Sequence, residues 1–233
     1  MTPEIFIHGV RVPISANEVS PVILEALISG SYEAKEARLA ARVMSAGDRV
    51  LELGAGIGVI TTVMARTSNV RVWAFDANPG IVDLAQRVLE ANGVENATVN
   101  HGLMISGEPG EHPFYVRADF WMSSMMEGQG PYDEIISIPS RNIDAFIAAN
   151  NINVLVMDIE GAERELLAGA KLDGVEKVFL ELHDHLYGLQ GVRDIFRAMN
   201  DHGLSYDPRG SSGPCVLFTR DDGSDREYCP EPM

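Results

Sequence analysis

Thiols are scarce in this 233-residue chain: only Cys215 and Cys229 are present, and their spacing matches no metal-binding pattern. A disulfide scaffold and a structural zinc site are therefore not expected. Cations are scarce as well, with 18 Lys and Arg against 34 Asp and Glu and a formal charge of −16. Proteins that track phosphates or lie on anionic lipid need clustered Lys and Arg, so neither nucleic acid nor a membrane is an expected partner. No apolar run approaches the roughly 20 residues of a membrane helix, and the opening MTPEIFIHGV lacks the basic stretch of a secretion signal. Repeats and low-complexity tracts are missing too. These absences point to a soluble, cytoplasmic protein, and 45% apolar residues are enough for a full core.

What is present, from about residue 49 onward, is a rhythm of short apolar runs and helical patterns. Arg49–Leu53, Val70–Ala77, Ala97–Leu103, Asn153–Ile159 and Lys177–His183 read as strands. Between them, Val59–Arg66, the stretch after Asn78-Pro79 up to Gly93, and Ala162–Ala170 read as helices, as does the segment carrying Val192, Ile195, Phe196 and Met199. Residues 104–137 break the rhythm, with Phe114–Trp121 as an added strand, after which Ser140 is expected to cap a helix holding Ile143, Phe146 and Ile147. Leu204–Asp207 and Cys215–Arg220 are expected to close the sheet as an antiparallel pair around a turn at 210–213. The expected fold class is α/β, a Rossmann-like, mainly parallel sheet with helices on both faces. Residues 47–233 would form that unit, with residues 1–46 as an N-terminal helical cap segment centred on Glu33–Met44.

Ligands of such sheets bind beyond the carboxyl ends of the strands. The run Leu51-Glu52-Leu53-Gly54-Ala55-Gly56-Ile57-Gly58 stands where the first strand meets the first helix, and glycines there let a backbone approach a ligand closely. A dinucleotide fingerprint needs a third glycine where this chain has Val59, which argues against a nicotinamide cofactor. Glu52, just ahead of the glycines, suits the amino-acid part of a cofactor without a pyrophosphate. Asp76 closes the second strand, where a carboxylate can accept both hydroxyls of a ribose. Ala77 and Asn78 follow it, and Gly102 and Leu103 follow the third strand at the place an adenine would occupy. An acid before the glycines and an acid ending strand two resemble the cofactor motifs of class I S-adenosylmethionine-dependent methyltransferases.

Further stretches narrow the resemblance. Gly30-Ser31-Tyr32-Glu33 with Glu36, then Asp158-Ile159-Glu160-Gly161-Ala162-Glu163, then Glu181-Leu182-His183 follow one another around the glycine turn. Over roughly residues 30–205 this order is similar to the FkbM family of methyltransferases. The chain departs from that family's usual G-A-N-x-G by carrying Gly56 at the third position. The resemblance implies S-adenosylmethionine as cofactor, held by Glu52, Gly54, Ala55, Gly56, Gly58, Asp76, Ala77, Asn78, Gly102 and Leu103. It also implies O-methylation of a hydroxyl on a sugar or secondary metabolite, so the partner is a small hydroxylated acceptor.

A methyl sulfonium is already electrophilic, so the protein must align the reactants and remove a proton. Asp158, Glu160 and His183 end adjacent strands and are the expected catalytic residues, with His183 as proton acceptor and Asp158 or Glu160 orienting it or the hydroxyl. Glu163 is expected to cap the following helix. A divalent metal on the same group is an alternative that is not favoured, and no metal ligand is assigned. A nicotinamide-dependent oxidoreductase and a non-catalytic S-adenosylmethionine-binding module are the competing functions.

Overall fold

The computed structural model describes residues 5–15, 17–221 and 223; Cys229 lies outside them. The chain opens on a hairpin of β1 (Ile5–Ile7) and β2 (Val10–Val12). Its turn is His8-Gly9, both at positive φ (50° and 77°), the geometry a two-residue hairpin turn demands. Ile5, Ile7, Val10 and Val12 alternate inward. Two helices follow, α1 (Pro21–Ser29) and α2 (Ala34–Val43). The first 46 residues are thus not simply helical, because the period-two alternation of IFIHGVRV makes a strand pair.

The sheet begins with β3 (Arg49–Leu53), α3 (Val59–Ala65), β4 (Arg71–Asp76), α4 (Pro79–Ala91) and β5 (Ala97–His101). Asn78 caps α4 by accepting the Gly80 amide at 3.0 Å, Pro79 supplies the first helical residue, and Ile81, Leu84, Ala85, Val88 and Leu89 are buried at helical spacing. Next come β6 (Leu103–Ile105), β7 (Glu111–Val116) and β8 (Glu134–Asn142). The chain continues with α5 (Ile143–Asn150), β9 (Val154–Met157), α6 (Glu163–Gly169), β10 (Lys177–Glu181), α7 (Asp184–Asp201, interrupted at Gly188), β11 (Leu204–Ser212) and β12 (Cys215–Arg220).

Seven strands form the main sheet in the order β11-β12-β10-β9-β3-β4-β5. The pairs β10–β9, β9–β3, β3–β4 and β4–β5 are parallel, while β12 runs antiparallel to β10 and β11. One face packs Val50, Ala74, Val156 and Phe179 against α2, α3 and α4, and the other packs Leu51, Phe75, Leu155 and Leu180 against α5, α6 and α7. A third cluster joins the hairpin and α1 to α3 and α4 through Ile23, Leu27, Ile57 and Leu84. No helix among the described residues is long and apolar enough to cross a membrane.

The stretch that breaks the rhythm is a second sheet, β6-β8-β7. Its middle strand, β8, is where a helix cap at Ser140 was expected. The Ser140 hydroxyl is instead taken by the backbone N–H and C=O of Gly110, at 2.9 and 3.0 Å, and Asn142 caps α5 by accepting the Ala145 amide. The added strand runs over Glu111–Val116 rather than to Trp121; Phe120–Met122 is a single 3₁₀ turn. Gly102, at φ 141°, separates β6 from β5 and sends it to the other sheet.

Candidate functional site

A cavity of about 580 Å³ opens over the carboxyl ends of β3, β4, β5 and β9. Its floor is the glycine turn. Gly54 has φ 83°, and a Cβ there would overlap the Asp158 carbonyl oxygen, so only glycine lets β3 and β9 end this close together. A Cβ on Gly56 would meet the Tyr32 hydroxyl at 2.9 Å and Glu33 Oε1 at 3.2 Å. The turn is braced by Asp76, whose Oδ2 accepts the Gly56 amide at 3.0 Å and whose Oδ1 accepts the Asn78 amide at 2.8 Å. Burial pushes Asp76 up to about 6, against the pull of those two amides.

The roof comes from the N-terminal region. The Tyr32 ring is buried and stacks on Trp121 at 6.2 Å between centroids. Glu33 sits at φ 48°, and its Oε2 is buried with no hydrogen-bond partner. Burial raises the Glu33 carboxyl well above the ordinary range. The outer wall is the second sheet and the loop between its strands β7 and β8, with Met104, Ile105, Phe114, Phe120 and Met125 facing the cavity.

Beside the glycine turn lies a charged centre. Its approach segment is unusual, with Glu160 at φ 52° and Gly161 at φ 101°. Glu163, at 0% exposure, holds it: Oε1 accepts the Ile159 amide at 3.1 Å and Oε2 accepts the Gly161 amide at 3.0 Å. Gln129 Nε2 donates to the Glu160 carbonyl at 2.9 Å. The parallel pairing of β9 and β10 brings His183 alongside, with Nδ1 3.1 Å from Glu163 Oε1 and Nε2 3.3 Å from Asp158 Oδ1 and 3.6 Å from Glu160 Oε2. Burial alone would lower the His183 pKa, but the Asp158 and Glu163 carboxylates outweigh it and push it up to about 11. Burial pushes Glu160 up to about 7, held back by His183 and helped by Asp158.

Of the residues expected from sequence, Gly54, Gly56, Asp76, Ala77, Asn78, Gly102, Leu103, Asp158 and Glu160 line the cavity. Glu52, Ala55, Gly58 and His183 do not. Glu52 pairs with Ala74 and Val156 in the sheet and faces α3, where Thr61 Oγ1 donates to it at 2.5 Å. Gly58 is glycine for packing: a Cβ there would press on Ala85 of α4 at 3.2 Å. His183, 5% exposed, lies behind Asp158 and Glu160 with its ring nitrogens turned to carboxylates. Glu163, expected to cap the following helix, makes no cap hydrogen bond to it and holds the segment before it instead; the signal for this was its place in D-x-E-G-x-E, two residues after a glycine. Tyr32 and Glu33 complete the roof.

Among the described residues, two groups have ligand atoms within 4.8 Å of one another, Asp158–Glu160–His183 and Glu36–Glu181–Cys215. In the first, both ring nitrogens of His183 already face carboxylates. In the second, the Cys215 thiol donates to Glu36 Oε1 at 2.8 Å, and burial raises its pKa.

The sequence matches the methyltransferase FkbM domain over residues 52–206. No curated protein matches it. Among solved structures, Trm5b from Pyrococcus abyssi is 14% identical, with a TM-score of 0.50, over 91% of this chain and 52% of Trm5b. This chain thus spans about half of that protein's length. PH0793 from Pyrococcus horikoshii is 13% identical, with a TM-score of 0.51, over 93% of this chain and 71% of that one. The O-methyltransferase from Bacillus cereus, solved with S-adenosylhomocysteine, is 14% identical, with a TM-score of 0.48, over 87% of this chain and 82% of that one. At these identities the likeness is one of fold.

Proposed function

The chain belongs to the FkbM methyltransferase family, and on that premise we propose that it transfers a methyl group from S-adenosylmethionine to a hydroxyl of a small molecule. The observation that carries the reading is the junction of two features in one cavity: a glycine floor braced by Asp76, and two carboxylates, Asp158 and Glu160, within ion-pair reach of a buried imidazole.

The residues present fit the cofactor. Asp76 is left with lone pairs for ribose hydroxyls after accepting two amides. Glu33 Oε2, buried without a donor, suits an ammonium, and the space that a Cβ on Gly56 would fill lies beside it. Gly102 and Leu103 flank the place for an adenine. When bound, S-adenosylmethionine supplies an electrophilic methyl group on a sulfonium.

What the chain itself does is position and deprotonate. With Glu163 at Nδ1 and Asp158 and Glu160 at Nε2, His183 holds its proton at neutral pH, and it does not line the cavity. We therefore give the proton-accepting role to Asp158, which faces the cavity, and make His183 the residue that positions Asp158 and Glu160. This differs from the assignment that sequence alone suggests. A hydroxyl acceptor needs such a base because its proton must leave as the new C–O bond forms. The acidic surroundings also support a small-molecule acceptor over nucleic acid.

Titration calorimetry with S-adenosylmethionine, S-adenosylhomocysteine and NAD tests the cofactor, and transfer of a labelled methyl group into hydroxylated acceptors tests the reaction. Binding of the first two ligands but not NAD is expected. Binding of NAD alone would overturn the reading.

A further inference from the structure

The cavity carries a one-sided charge. Among the described residues, Glu33, Asp76, Glu108, Asp158, Glu160 and Glu165 line it, and neither lysine nor arginine does. Nearby cations are committed elsewhere. The Arg141 guanidinium lies over the Phe75 ring at 5.3 Å without entering the lining. Buried Arg117 donates to the backbone carbonyls of Tyr115, Met122 and Met126.

The acids divide by depth. Asp76 and Glu33 belong to the cofactor end, and Asp158 and Glu160 belong to the charged centre. Glu33 Oε2 is buried without a hydrogen-bond partner, and the cation beside Asp158 is the His183 imidazolium, which is itself flanked by Glu160 and Glu163. Glu108 and Glu165 are exposed and stand where the 106–110 loop meets α6. The two segments touch closely there: a Cβ on Gly169 would fall 2.8 Å from Ser106 Cβ. Between rim and centre the wall is apolar, built from Ile105, Phe114, Phe120 and Met125.

An anionic acceptor would leave water for a cleft that no described lysine or arginine lines, at a large desolvation cost. A cation would be drawn in by the same field. We propose that the acceptor is an amine-bearing, hydroxylated small molecule with an apolar body. Its ammonium sits at the Glu108–Glu165 rim and its hydroxyl at Asp158. The inference rests on the methyltransferase reading and adds the charge of the substrate to it.

Three probes share a ring and a hydroxyl and carry a positive, a neutral and a negative substituent: 4-aminocyclohexanol, its N-acetyl derivative and 4-hydroxycyclohexanecarboxylate. Calorimetry on the protein saturated with S-adenosylhomocysteine should show the ammonium probe binding about tenfold or more tighter than the neutral one, as one charge-assisted contact allows. The carboxylate should bind weakest, and high salt should shrink the difference. The double variant Glu108→Gln, Glu165→Gln should erase the preference and leave S-adenosylmethionine affinity unchanged. Equal binding of the three probes, tighter binding of the carboxylate, or no binding of any would overturn the proposal. So would a fall in cofactor affinity in the double variant, which would assign the rim acids to the cofactor. Failure of S-adenosylhomocysteine itself to bind would instead refute the methyltransferase reading on which the proposal stands.

Discussion

Glu163 Oε1 stands 3.1 Å from His183 Nδ1 while the same carboxylate accepts the amides of Ile159 and Gly161. One buried side chain therefore fixes both the imidazole and the segment that presents Glu160. Glu163→Ala strands a buried cation's N–H and two backbone donors, and should cost about 3 kcal/mol in urea unfolding. Glu163→Gln keeps one accepting oxygen and should cost less. A loss under about 1 kcal/mol for the alanine variant would mean that the segment holds itself.

Asp158→Asn should lower kcat by about 10²–10⁴-fold, the range for removal of a general base. His183→Asn should act differently. Without the imidazolium, Glu160, already pushed up to about 7, holds its proton more tightly, so whatever part of the acidic limb of the kcat–pH profile Glu160 sets should move to higher pH. If that limb disappears in His183→Asn while Asp158→Asn keeps its turnover, the imidazole is the proton acceptor after all.

Cofactor affinity should fall by about 1.5–3 kcal/mol in Asp76→Ala, as expected for lost charge-assisted hydrogen bonds. Because Asp76 also accepts the Gly56 and Asn78 amides, the ligand-free protein should melt lower too. Unaltered affinity in calorimetry would remove Asp76 from the site.

The ligand-free protein should lose stability as pH rises. Burial pushes Asp76 up to about 6, Glu160 and Glu181 up to about 7, and Glu52 up to about 8. A group whose folded pKa exceeds its unfolded value stabilises the fold below the unfolded value and loses that contribution as pH climbs through the folded one. His183, raised from 6.5 to about 11, acts in the same direction. Melting temperature should therefore decline from about pH 5.5 to about pH 8, and Glu52→Gln should flatten the upper part of that slope. A melting temperature that rises across the interval would contradict the account.

The parallel sheet was legible because Arg49–Leu53, Asn153–Met157 and Lys177–Glu181 are apolar enough to be buried on both faces. Asp76 and Gly54 were legible because their roles are local, at strand ends. The hairpin at His8-Gly9 carried its own signal, an alternation around a two-residue turn, which the helical pattern downstream overshadowed. β8 was hidden because Pro139, Ser140 and Arg141 interrupt its apolar pattern, and it pairs with strands that precede it by many residues. The contact of Glu163 with His183 depends on two strands lying side by side, which residue spacing does not reveal. The same holds for Glu52, whose direction was set by sheet register.

Gly102 alone separates β5 from β6, and Asn142 both ends β8 and caps α5. The cavity's outer wall is thus joined to the core at both ends with almost no slack. Such a wall does not swing like a door. Adaptation to a new acceptor would then come from side chains on the wall and from its loop tips, while the frame that aims Asp158 stays in place.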